Sequence, residues 1–116
     1  MTDIPERVRV GYRTYSIEPL PPAGPLAANH ATGACGYDEG IIQIDLSVDE
    51  EMQAQVLLHE IIHACWRLTS LPEEQEERVV SMLTHALAQV MQDNPKVISW
   101  IDKNLRSKLS KSNPKP

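Results

Sequence analysis

Leu58-His59-Glu60-Ile61-Ile62-His63 decides the reading of this chain, because it sets two imidazoles four residues apart with a carboxylate directly after the first. Residues at that spacing on a helix lie one turn apart, so His59 and His63 share a face and can bind one metal ion. Glu60 then flanks the ion and can act on its bound water. Val56, Leu57, Leu58, Ile61, Ile62 and Ala64 leave little polar surface on any side, which predicts a central, buried helix. Burying two imidazoles and a carboxylate is unfavourable unless their polar atoms find partners, and a metal with an ordered water satisfies all three. The alternative is a pair of core histidines bonded to backbone or to carboxylates.

Working outward, Ser47-Val48-Asp49-Glu50 has the S-x-x-E form of a capping box, with acidic residues at the positive end of the helix dipole. The helix is expected to start there and to run to about Leu68. Ser70 and Glu73, with Pro72 between them, form a second such box and restart a helix over about Leu71 to Asp93. Val80, Leu83, Leu87 and Val90 or Met91 form its apolar stripe, which should pack on the first helix. Asn94-Pro95 ends it and starts a last helix to about Leu109.

Before the motif the pattern is that of strands. Val8 to Tyr12 alternates apolar and polar, and Tyr15-Ser16-Ile17 resumes the alternation after a break at Gly11 to Thr14. Ala34-Cys35-Gly36-Tyr37 and Ile41-Ile42-Gln43-Ile44-Asp45-Leu46 read as a hairpin across Asp38-Glu39-Gly40. Between these pairs, Pro19 to Pro25 is a proline-rich loop inside the domain, and Leu26 to Ala31 can form a short helical turn. The expected fold is therefore α+β: a small antiparallel or mixed sheet of short N-terminal strands packed on the motif helix, a following antiparallel helix, and a C-terminal helix.

The 116 residues suit one domain spanning 1–116, with frayed ends at 1–7 and 108–116. There is no Phe, so the core is aliphatic, with Trp66 and Trp100 as its large anchors. Net charge is −5 and the acids concentrate between Asp45 and Glu77, so no broad cationic face for nucleic acid is present. No apolar run is long enough to span a membrane, and charges among residues 1–18 interrupt any apolar signal core, which points to a cytoplasmic protein. Cys35 and Cys65 are expected as reduced thiols. Oligomeric state is not encoded in any pattern of the sequence.

A catalytic zinc takes three protein ligands and keeps one position open, so a third ligand must come from elsewhere. The short loop at Leu68 to Leu71 makes the two long helices an antiparallel hairpin, and counting away from the turn from Ile61 points to residues 76–78. Glu77 is the first choice, its neighbours at i+3 and i+7 being Val80 and Thr84; the unknown rotation of the helix leaves Glu76 as the alternative. His85 lies about 12 Å further along the helix, too far to share the ion, and reads as a surface or supporting histidine.

Strands, an edge hairpin, an H-E-x-x-H helix and a following helix bearing a glutamate resemble a minimal zincin metallopeptidase of the glutamate-ligand type. The order from Gly33-Ala34-Cys35-Gly36-Tyr37 through the motif to Glu77 and Asp93-Asn94-Pro95 is similar to small phage and prophage metallopeptidase-like proteins. That resemblance implies His59, His63 and Glu77 as Zn2+ ligands, Glu60 as general base, and a peptide or protein substrate paired with strand Ile41 to Asp45. His30 or Tyr37 is then the candidate for stabilising an oxyanion. The other class of function compatible with the residues is a non-catalytic zinc-binding or interaction protein that retains the fold.

Overall fold

The computed structural model describes residues 4–21 and 32–112, the last six of them by backbone alone. His30, the turn expected at Leu26 to Ala31 and most of the proline-rich loop lie outside the described residues. The fold is α+β, with a four-stranded mixed sheet and three helices. The strands are β1 (Arg7–Val10), β2 (Arg13–Pro19), β3 (Gly33–Gly36) and β4 (Ile41–Ile44), and the helices are α1 (Glu50–Trp66), α2 (Glu76–Asp93) and α3 (Pro95–Ser112). The packing forms two compact units, one ending at His85 and the other beginning at Ala86.

β1 and β2 form the first hairpin, in register from Arg7↔Ser16 to Val10↔Arg13. Gly11 closes it at φ +64°, a left-handed conformation that costs glycine nothing because it has no Cβ. Alternation then does what the pattern dictates: Val10 and Tyr15 are buried, while Arg9 and Thr14 are exposed. β3 and β4 make the second hairpin, from Gly33↔Ile44 to Gly36↔Ile41, and β2 joins it by pairing parallel to β4.

The resulting order β1-β2-β4-β3 corrects one expectation. Strand Ile41 to Asp45 was assigned to an incoming substrate, yet β4 has β2 on one side and β3 on the other, so its backbone groups are already paired. Ile42 and Ile44 are fully buried in the sheet centre, which is why this apolar run goes inside rather than to an edge. The edge strands are β1 and β3, and β3 is the one that reaches Glu60 of the motif helix, at Gly33.

α1 packs on β3, β4 and β1. Val56 and Ala64 join Val10, Tyr15, Ile42 and Ile44 in the core, and Glu60 is buried on the same helix. The N-cap is Asp49, not Ser47: Asp49 Oδ1 accepts from Met52 N at 2.8 Å. Ser47 is diverted to Asp45, to which both its N–H and its hydroxyl donate. The second expected box is also absent. Thr69 organises that turn by donating to the Trp66 carbonyl and accepting from Leu71 N, and Glu73 pairs with Arg67 at 3.2 Å. A 3₁₀ turn at Glu73–Gln75 then precedes α2, which starts only at Glu76.

On α2 the buried positions are Val80 and Thr84, while Leu83 is 43% exposed. Of the expected stripe, Val80 goes inward as read, but its inward neighbour is Thr84, while Leu83 and Leu87 are exposed. In the second unit, Ile98 N donates to the Asn94 carbonyl at the start of α3, and Pro95 occupies the first helical position, where no N–H is needed. Trp100, expected as a core anchor, is 66% exposed. No helix among the described residues is long and apolar enough to cross a membrane.

Candidate metal centre

His59 and His63 leave α1 one turn apart, as the four-residue spacing requires, with their ring centroids 4.8 Å apart. Glu77, one residue into α2, meets them. The Nε2 atoms of the two histidines are 3.1 Å apart, Glu77 Oε1 is 2.8 Å from His63 Nε2, and Glu77 Oε2 is 3.4 Å from His59 Nε2. One ligand atom from each residue falls within 4.8 Å of the others. A tetrahedral zinc ion with bonds of about 2.0–2.1 Å holds its ligands roughly 3.3–3.4 Å apart, so the three donors fit such an ion by both type and spacing.

Glu76, the alternative ligand, points elsewhere. Its Oε2 lies 2.7 Å from His63 Nδ1, on the side of the imidazole away from Glu77. The Tyr37 hydroxyl donates to the same oxygen at 2.7 Å, and the Arg67 guanidinium lies 4.1 Å over the Tyr37 ring. With His63 Nδ1–H donated to Glu76, the lone pair on Nε2 faces His59 Nε2 and the Glu77 carboxylate. Three lone-pair donors thus converge on one point; a proton on His63 Nε2 relieves one edge of that triangle, and a cation relieves all three.

The electrostatics agree. Burial lowers the pKa of His59, and the His63 charge adds to this while Glu77 opposes it, so His59 carries a free lone pair at neutral pH. Burial alone would raise Glu77, but its hydrogen bond from Ser81 and the charges of His59 and His63 outweigh that and keep the carboxylate ionised. Burial likewise works to raise Glu76, and the hydrogen bonds from His63 and Tyr37 more than offset it. Glu60 differs from both. It is 7% exposed and its side chain makes no hydrogen bond among the described residues, and burial pushes it up to about 7, with the His63 charge opposing and the Glu77 charge adding. A carboxyl group poised there can take a proton and return it near neutral pH.

A cleft of about 610 Å³ opens over these groups, walled by Met52, Gln55 and Val56 of α1, Ser81, Thr84 and His85 of α2, and Thr32 and Gly33 at the start of β3. The Glu77 side chain is 71% exposed, so the centre faces solvent. His85 is not among the converging donors, as its distance along α2 implied, but it does line the same cleft. Tyr37 commits its proton to Glu76 rather than to an oxyanion. The Glu76, Tyr37 and Arg67 contacts were not foreseen; the one local hint was the adjacent pair Glu76-Glu77.

Gly33 is where the sheet approaches the motif helix. A Cβ there would lie 2.5 Å from Val56 Cγ1 and 3.0 Å from Glu60 Oε2. Gly33→Ala is expected to destabilise the chain by about 1–3 kcal/mol, read as a lower denaturant midpoint, because Val56 is branched and buried and cannot swing away. Cys35, on β3, has its thiol pushed up to about 12 by burial and by the Glu60 and Glu76 charges, whereas Cys65 is exposed on α1. Alkylation of the native protein at pH 8 should modify Cys65 and spare Cys35, with both reacting after denaturation; peptide mapping reads the difference.

Comparison with known protein families, with curated proteins and with solved structures gives no match to this chain.

Proposed function

We propose that the chain is a zinc-dependent hydrolase of the zincin metallopeptidase type, acting on peptide bonds. The observation that carries this reading is the convergence of His59, His63 and Glu77 beside a buried Glu60, at the floor of an open cleft. Structural zinc sites are closed by four protein ligands, whereas three ligands facing solvent leave a position for water and substrate. When bound, zinc supplies Lewis acidity, making water acidic near neutral pH and polarising a carbonyl. His59, His63 and Glu77 hold it. Glu60 accepts the proton of the attacking water and passes it to the leaving amine. Thr32 and Gly33 line the cleft, and the outer edge of β3 has no strand partner among the described residues, which suits it to pair with an extended peptide in place of β4.

The test is metal analysis of protein purified without chelator, then after dialysis against zinc. About one zinc per chain is expected, and His59→Ala and Glu77→Ala should each lose it. Wild-type protein that takes up no zinc under either condition refutes the reading.

A further inference from the structure

Resting on the zinc reading above, we infer that Glu76 and Tyr37 are positioning residues that fix the metal-binding tautomer of His63. An imidazole ligates through one nitrogen only, and which one is available depends on where its proton sits. In this chain the choice is made by Glu76. With a cation on Nε2, the atom that faces His59 and Glu77, the ring proton lies on Nδ1, where Glu76 Oε2 at 2.7 Å is placed to accept it. The His63 and Glu76 side chains are each only 14% exposed, so water competes little for this bond.

Glu76 is itself fixed. The Tyr37 hydroxyl donates to the same Oε2 at 2.7 Å, and the ring that carries it is covered by Arg67 at 4.1 Å. Arg67 is anchored in turn by Glu73. Tyr37 directly follows β3, so the outermost strand of the sheet is linked through one hydroxyl and one carboxylate to a metal ligand on α1. The adjacent glutamates at the start of α2 therefore divide their work: Glu77 reaches the ion, and Glu76 reaches the far side of the ring that also reaches the ion. Glu76 cannot exchange roles with Glu77 without His63 turning over.

Zinc competition with a chelating dye on the full chain tests this. Glu76→Ala should weaken zinc binding by about 10- to 100-fold, Tyr37→Phe by less, and Glu76→Asp should recover part of the loss. Glu74→Ala, which removes an exposed carboxylate from the same acidic turn, should stay within about twofold of wild type. The accompanying signature is nuclear magnetic resonance of ¹⁵N-histidine in the zinc-loaded protein: a slowly exchanging Hδ1 on His63 is expected in wild type and should be lost in Glu76→Ala. If Glu76→Ala does not fold, Tyr37→Phe carries the test with the same two readouts. Zinc affinity unchanged in the variants, equal weakening by Glu74→Ala, or a His63 protonated on Nε2 overturns the inference while leaving the zinc reading intact; a wild-type chain that binds no zinc defeats that reading instead.

Discussion

Glu60→Gln is expected to leave zinc binding intact and to lower peptide hydrolysis by about 10²–10⁴-fold, the loss typical when a positioned proton-transfer group is removed. Gln has nearly the same shape, so it fills the space against Val56 and Gly33 that Glu60 occupies, but it cannot take a proton from water. Hydrolysis of an unstructured protein such as casein, compared at equal zinc occupancy, reads the effect, and retained activity would remove Glu60 from the mechanism. The same substitution has a signed effect on the metal-free chain. Glu60 titrates near 7 when folded and near 4.5 when unfolded, so the folded state holds the proton more tightly. Wild-type stability from this group is then present below about pH 4.5 and lost as pH rises to about 7, by at most about 3 kcal/mol. With chelator present, Glu60→Gln should melt higher than wild type at pH 8 and at nearly the same temperature at pH 4.5. A lower melting temperature at pH 8 would contradict the burial argument.

His63→Ala is expected to be the most damaging change at the centre, worse than His59→Ala. His63 touches everything there: Nδ1 donates to Glu76, and Nε2 faces His59 and Glu77. Its removal takes away a zinc ligand and also leaves Glu76, which is 14% exposed at its side chain, with only the Tyr37 hydroxyl to satisfy the oxygen. Losing a hydrogen bond to a charged group costs about 1.5–3 kcal/mol. Zinc should fall from about one ion per chain to near none, and the metal-free protein should melt below both wild type and His59→Ala. Equal stability of the two variants would mean that Glu76 draws little from His63.

Much of this centre is legible from residue order. A helix fixes the angles between its own positions, so His59 and His63 had to share a face and Glu60 had to stand beside them. Residue counting from the interhelical turn brought the third ligand to Glu76 or Glu77. The alternations at Val8–Tyr12 and Tyr15–Ile17, broken at Gly11 to Thr14, allow a strand or a tight hairpin, and the structure makes the hairpin, turning at Gly11. The caps were less well read. Asp49 and Thr69 won over Ser47 and Ser70 because Asp45 captured the first serine and the Trp66 carbonyl drew in Thr69.

The sequence alone determined what lies on one element: two imidazoles one turn apart with a carboxylate beside them on α1, and an acidic start to α2. Tertiary structure decided how the elements are phased against one another. Neighbouring helical positions differ by about 100°, and no local pattern sets the rotation of one helix against another. Here Val80 and Thr84 go inward and Leu83 does not, which brings Glu77 to the two imidazoles and Glu76 to Nδ1 of His63. Strand order is equally non-local: the parallel pairing of β2 with β4 closes Ile41 to Asp45 off and leaves β3 at the edge. Tyr37 meets Glu76 across 39 positions of chain, a contact that only packing can make.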